Sequence, residues 1–321
     1  MPDQLAIQRA GFESGELRPV MLAVAGDSAA GKTTLSQGLV EALGSDRVLA
    51  FSVDDYHRYD REERKDLPFT ALHPKCNYVE IMERHIQLLA YGHPVLKPVY
   101  NHSNGKLERP VLVEPRELVV AEGLLPLYTS GARSCFDVRV YLDPDEDVRV
   151  AWKLKRDTGK RGYTEDEVRA ELKKREPESA EFIRPQKAQA DIVVRFEPVE
   201  GKDTMEHSPS ATILLRPTIP HPNLAEMITD DVKEAIHLKL TRDADGRPID
   251  AIHVHGYARR EVTRPIEEAI WEELGVDQPL PEHLGMIDED QRSESLALIQ
   301  LILLFHVIRK QTFEETPVPK P

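Results

Sequence analysis

Eight consecutive residues, Gly26-Asp27-Ser28-Ala29-Ala30-Gly31-Lys32-Thr33, fit the pattern G-x-x-x-x-G-K-[ST] with no mismatch. A loop of this kind curls backbone N–H groups around a polyphosphate, and the following helix adds positive potential at its N-terminus. Lys32 then reaches the β- and γ-phosphates, and the Thr33 hydroxyl coordinates Mg²⁺. The flanks support the pattern. An apolar run, Val20–Ala25, precedes the loop, and Leu35, Leu39 and Leu43 follow it at helical spacing. The expectation is a nucleoside triphosphate, bound with Mg²⁺ by the residues from Gly26 to Thr34.

A phosphoryl donor needs an acceptor. In an open parallel sheet, ligands gather beyond the carboxyl ends of the strands. Acidic residues close three of the strands read here: Asp54-Asp55, Glu122 and Asp143. Transfer to a hydroxyl asks for one carboxylate to take the proton and another to hold Mg²⁺. Asp54 and Glu122 could divide those tasks, while Asp143, just before Pro144, reads as a cap of the next helix. After Asp54-Asp55-Tyr56, five of the nine residues from His57 to Lys65 are His, Arg or Lys. Forked guanidinium donors suit the dianion of a sugar phosphate, whereas a nucleoside would ask for aromatic stacking. The plainer reading is a charged surface helix in which Glu62 and Glu63 balance the arginines. The position of the run beside the candidate base favours a substrate-phosphate site.

Alternating strands and helices must hold these groups. Strands are expected at Val20–Ala25, Arg47–Val53, Glu117–Ala121, Phe136–Leu142 and Asp191–Phe196. Helices are expected at Thr33–Leu43 with Gly44 as C-cap, then Tyr78–Leu89, Asp147–Thr158 and Thr164–Arg175. This order implies an α/β fold of the P-loop type, a parallel sheet with helices on both faces. A polar stretch near Pro198 to Ser210 reads as a boundary. It divides a loose N-terminus (1–19), a kinase domain (20–200) and a smaller C-terminal α+β domain (201–321). In the latter, Ala211–Leu215, Ala235–Leu240 and Ile249–Val254 read as strands, the last two joined by a hairpin turn at Asp245-Gly246. Helices follow at Pro265–Leu274, with Pro in the first turn, and Gln291–Lys310.

Composition narrows the partners. Lys plus Arg number 42 against 56 Asp plus Glu, a formal net charge of -14. Such acidity argues against nucleic acid, whose non-specific affinity comes from neutralised phosphates. Residues 201–321 carry 13 basic against 22 acidic residues, which leaves 29 against 34 for residues 1–200. The first part is thus near balance, and its cations could serve a small anion. Two cysteines, Cys76 and Cys135, fit a reducing cytoplasm. The longest apolar run, Leu296 to Ile308, is interrupted by Gln300 and His306 and falls short of the roughly 20 residues of a membrane helix. The expected partners are a small-molecule sugar phosphate and further copies of the chain, in the cytoplasm, with neither membrane nor nucleic acid.

From about Val20 to Phe196 the sequence resembles the phosphoribulokinase family, which shares its fold with uridine kinase. The resemblance rests on Ala25-Gly26-Asp27-Ser28, Asp54-Asp55-Tyr56-His57, Lys97-Pro98-Val99-Tyr100-Asn101-His102 and Glu122-Gly123-Leu124. It continues through Trp152-Lys153-Leu154-Lys155-Arg156-Asp157, Arg161-Gly162, Arg184-Pro185-Gln186-Lys187 and Ala190-Asp191. It implies Asp54 as general base and Glu122 as Mg²⁺ ligand beside Thr33. It places His57, Arg61, Lys65, His102 and Arg175 at the sugar phosphate, and Lys153, Arg156 and Arg161 near the transferred group and ATP. The implied reaction is phosphorylation of ribulose 5-phosphate at its 1-hydroxyl. Two positions depart from the family pattern: Leu125 stands where His is usual, and Asp166 where Glu is usual. Photosynthetic members are switched by a disulfide between a phosphate-loop cysteine and one before the Asp pair, where this chain has Ala30 and Ser52.

A nucleoside kinase is the alternative, and a regulator with incidental turnover and a partner-binding C-terminal domain is a third reading; the basic run and the two carboxylates speak against them. His253-x-His255 could place two imidazoles on one strand face as metal ligands, but no further Cys or His pair completes a set in sequence.

Overall fold

A computed structural model describes residues 18–199, 208–228, 232, 235–243, 245–287 and 291–314; the side chains at 160, 161 and 311–314 are not described. The N-terminus expected to be loose and most of the expected boundary segment lie outside the described residues. The elements run β1 (Val20–Gly26), α1 (Lys32–Leu43), β2 (Val48–Ser52), α2 (Val79–Ala90), β3 (Val95–Asn101), β4 (Lys106–Val113), β5 (Leu118–Gly123) and α3 (Ser130–Arg133). Then follow β6 (Val138–Pro144), α4 (Glu146–Arg161), α5 (Glu165–Glu178), β7 (Ile192–Glu197), β8 (Ser210–Leu215), α6 (Leu224–Met227), β9 (Ile236–Arg242), β10 (Pro248–Val254), α7 (Arg260–Glu273) and α8 (Glu294–Glu314).

Eight strands form one sheet in the order β2-β5-β1-β6-β7-β8-β10-β9. The first five are parallel and the last three antiparallel. Strand β1 shows why its sequence is an unbroken apolar run. Leu22 and Val24 enter the cluster on one face, with α1, α7 and α8, whereas Met21, Ala23 and Ala25 enter the cluster on the other, with α2. Helix α8 is buried along Leu296–Ile308, so its sequence is apolar all round rather than on one stripe. No helix among the described residues is long and apolar enough to cross a membrane.

Several details differ from the sequence reading. The expected boundary falls between β7 and β8, yet these strands pair antiparallel, Val194 opposite Ile213, so the sheet continues across it. Helix α7 begins at Arg260, not at Pro265. Pro265 removes a single ladder bond near the helix start, and burial of Ile266, Ile270 and Trp271 holds the whole helix. The helix after β6 is capped by Asp145, whose side chain accepts from Asp147 N at 3.0 Å. Asp143 instead pairs with Lys187 at 2.9 Å. The β3–β4 hairpin, a separate two-stranded sheet, was not expected. Strand β4 is exposed almost throughout, so no buried periodicity marks it.

Candidate active site

The carboxyl ends of β1, β2 and β5 open into a cleft of about 950 Å³ whose walls include the phosphate loop, Asp54, Glu122, His57, Arg61 and Arg156. Gly31, at φ 92°, turns the chain into α1, and Ala29, at φ 65°, is the one non-glycine at positive φ among the described residues. Positive-φ residues at alternate positions of a turn let successive N–H groups form a concave nest. Lys32 bridges the loop from within, its Nζ 3.1 Å from Gly26 O and 2.9 Å from Asp27 O. The Asp27 carboxylate is buried and faces inward. It accepts from Ser28 N at 2.7 Å and from the Ser179 hydroxyl, with Arg149 3.7 Å away. Asp27 thus fixes the loop from behind, and Ser28, Ala29, Lys32, Thr33 and Thr34 face the cleft.

The two aspartates after β2 have different fates. Asp54 lines the cleft, and one of its oxygens accepts from Leu124 N at 2.8 Å. Gly123 permits this approach, since a Cβ there would stand 2.6 Å from Asp54 Oδ1. Asp55 turns away. Its carboxylate pairs with buried Lys97 of β3 and accepts from Tyr100 N at 3.0 Å, which ties the loop to the hairpin. Glu122 is hydrogen-bonded to Thr33. Burial, reinforced by Asp54 and Asp55 against the pull of Lys32, pushes its pKa up to about 7. A pair of crowded oxygen donors, Thr33 and Glu122, is a donor set that suits a hard cation such as Mg²⁺.

On the far side of Asp54, the run His57–Lys65 curls under the hairpin. His57 is buried and gives its Nδ1 proton to Asn77 Oδ1 at 2.6 Å. Burial, with Arg64 nearby, holds its pKa down to about 4, so it is a neutral donor–acceptor rather than a cation. Arg61 is tethered at both ends, its N donating to Gly105 O at 2.8 Å and its guanidinium to His102 O at 2.6 Å. His102 packs edge-on against Tyr100, with ring centroids 4.9 Å apart. Lys65 stands at the rim and pairs with Glu62 at 2.7 Å.

Helices α4 and α5 supply the opposite wall. Lys153 is fully buried, 2.9 Å from Asp157, and burial followed by the charge of Arg175 lowers its pKa. Burial opposes ionisation of Asp157, but Arg156 and Lys153 outweigh it and hold the carboxyl at about 2. Arg156 also reaches Ser28 Oγ at 3.4 Å, so this group abuts the phosphate loop. Arg175 pairs with Glu171 and faces the cleft. The side chain of Arg161 lies outside the described residues.

Sequence reasoning missed four contributors. Arg64 lies in the cleft wall, stacks 4.9 Å over the Tyr100 ring and donates to its hydroxyl. Its place in the basic run was a signal for it. Lys97 and Asp157 are buried counter-charges that orient Asp55 and Arg156, and only their presence in recognised motifs hinted at this. The segments bearing Pro209, Gln291, Ser293 and Leu296 close the cleft beyond the phosphate loop, beside Trp152 and Phe196. No sequence pattern signalled that wall.

The family model described as the phosphoribulokinase / uridine kinase family matches residues 21–202. Phosphoribulokinase of Synechocystis sp. is 40% identical over 190 residues, 58% of this chain and 57% of that protein. The chloroplastic phosphoribulokinase of Spinacia oleracea is 34% identical over 198 residues, 56% of this chain and 49% of that protein. Uridine kinase of Latilactobacillus sakei is 30% identical over 181 residues, 55% of this chain and 85% of that protein. The match thus spans about half the length of these curated phosphoribulokinases. Among solved structures, phosphoribulokinase from Rhodobacter spheroides shares the fold, with TM-score 0.57 and 17% identity, covering 78% of this chain and 99% of that one.

Proposed function

Because this chain belongs to the phosphoribulokinase / uridine kinase family, we propose that it is an ATP-dependent sugar-phosphate kinase acting on the 1-hydroxyl of D-ribulose 5-phosphate. Asp54 takes the hydroxyl proton as the oxygen attacks the γ-phosphorus, and ADP leaves along the phosphate loop. Lys32, Lys153 and Arg156 offset the charge that develops on the transferred group. Thr33 and Glu122 would hold Mg²⁺, which supplies neutralisation of the β- and γ-phosphate oxygens. The 5-phosphate is received by Arg61, Arg64, Lys65 and Arg175, with His57 accepting from a sugar hydroxyl through its unprotonated Nε2 and His102 beside it at the sugar. The segments from 208 onward complete the nucleotide-side wall of a kinase unit built on residues 20–200.

The observation that carries this reading is the cationic lining opposite the phosphate loop, where Arg61, Arg64, Lys65, Lys174 and Arg175 all face the cleft. A dianion is the acceptor such a wall serves. The test is ADP release with ATP and, in turn, ribulose 5-phosphate, ribose 5-phosphate, other pentose phosphates, uridine and cytidine. Ribulose 5-phosphate should give the highest kcat/KM. Preference for a nucleoside would refute the proposal and favour the uridine-kinase side of the family.

A further inference from the structure

At the edge of the sheet, far from the phosphate loop, three histidines converge. His237 of β9 sits directly opposite His253 of β10 in the antiparallel register, and His255 follows two residues on. Their ring centroids are 4.5 to 5.4 Å apart. His255 Nε2 lies 3.0 Å from His237 Nε2, and His255 Nδ1 lies 3.4 Å from His253 Nε2. One nitrogen from each ring can be chosen so that all lie within 4.8 Å of one another. The third imidazole that the sequence did not offer to His253-x-His255 therefore comes from the neighbouring strand.

The groups behind His253 add an independent observation. The Thr212 hydroxyl of β8 donates its single proton to Glu197 at 3.2 Å. Its oxygen, 2.8 Å from His253 Nδ1, is then left to accept, so the His253 proton sits on Nδ1. The lone pair on Nε2 faces into the cluster. A ring held by its far nitrogen through a hydroxyl to a carboxylate is the support that metal-binding histidines have. Metal–imidazole bonds of about 2.0–2.1 Å in tetrahedral geometry place nitrogens about 3.3 Å apart. His255 gives one ion only one of its two nitrogens, so one short separation serves directly and the third ring closes in from within 4.8 Å. Imidazole-only ligation selects zinc and its first-row neighbours over Mg²⁺.

We propose that His237, His253 and His255 form a binding site for a divalent transition metal, zinc first, separate from the Mg²⁺ site of the kinase reaction. The metal clips edge strand β9, whose one partner in the sheet is β10, to the turn that follows β10. It leaves a fourth coordination position for water or another donor.

The test is equilibrium dialysis of the full chain against Zn²⁺ in excess Mg²⁺, so that oxygen-donor sites are already filled. One Zn²⁺ per chain is expected, and Co²⁺ in its place should give the visible absorption of a low-coordinate nitrogen-bound ion. His237→Ala and His253→Ala should each weaken Zn²⁺ binding by roughly 100-fold or more. Thr212→Val, which keeps all three rings but removes the orienting hydroxyl, should weaken it roughly 10-fold. His93→Ala, at an exposed histidine elsewhere, should leave it unchanged. Zn²⁺ should raise the thermal midpoint of the wild type and not of His253→Ala. Absence of stoichiometric zinc in the wild type, a cobalt spectrum without visible bands, or equal binding by the His237→Ala/His253→Ala double variant would each overturn the proposal. The cobalt spectrum needs no variant, so misfolding of a variant cannot mask the answer.

Discussion

Asp54 and Asp55 are adjacent and chemically identical, yet the structure assigns them separable consequences. Asp54 faces the cleft and makes one backbone hydrogen bond. Asp54→Asn keeps that acceptor and removes the proposed base, so kcat should fall by roughly 10²–10⁴, the span for a lost general base, or about 3–5 kcal/mol in the barrier. Melting should hardly move. Asp55 holds Lys97 in an ion pair whose side chains are only 13% and 10% exposed. Removing one partner of such a pair leaves a buried charge and costs about 3 kcal/mol. Asp55→Asn should therefore lower Tm by roughly 5–10 °C, while kcat at a temperature well below melting falls less than tenfold. ADP release at saturating ATP and calorimetry on the same preparations measure both quantities. If Asp55→Asn were the slower enzyme and Asp54→Asn the less stable one, the division of labour argued from their partners would be wrong.

Three further outcomes are expected. The Glu122 carboxyl, raised to about 7 in the folded protein from 4.5, keeps a proton that the unfolded chain has released. Its contribution to stability is full below 4.5 and is lost as pH rises through 7, by at most about 1.4 kcal/mol per pH unit; urea melts in Mg²⁺-free buffer should show that slope in the wild type and not in Glu122→Gln. Arg61→Ala and Arg64→Ala should raise KM for ribulose 5-phosphate at least 10-fold while KM for ATP stays within twofold, and an equal rise for both would remove the phosphate role. Ala30 and Ser52 line the cleft, and burial pushes the Cys76 thiol up to about 11. Diamide should thus leave activity unchanged, whereas a large loss reversed by dithiothreitol and absent in Cys76→Ser would expose a thiol switch.

What the sequence made legible was whatever is local. The phosphate loop, its flanking strand and helix, and Asp54 and Glu122 at strand ends follow from short patterns and from burial on both faces of β1. The β3–β4 hairpin did not, because β4 borrows no core and its residues carry no periodic mark. Lys97 and Asp157 escaped because their role is to hold another side chain, which becomes visible only once distant elements meet. His237 is an intermediate case. Folding the hairpin about Asp245 brings it opposite His253, so the turn signal already contained the third imidazole, but only for a reader who had committed to the register.

Helix α8 packs against α1 and β1, directly behind the phosphate loop. Where α1 passes it, Gly38 leaves space that the Gln300 side chain fills, since a Cβ there would fall 1.9 Å from Gln300 Nε2. These partners are separated by most of the chain, so their meeting closes a very long loop, and contacts of such separation form late. During synthesis the phosphate loop emerges long before the helix that backs it, and its strand must wait with one face only partly covered, by α1. Nucleotide affinity should then be acquired in one late step when α8 docks, rather than growing with chain length. A nascent chain halted before residue 294 would leave the α1 side of β1 without its α8 cover and carry the full phosphate-loop motif without the support that α8 gives it.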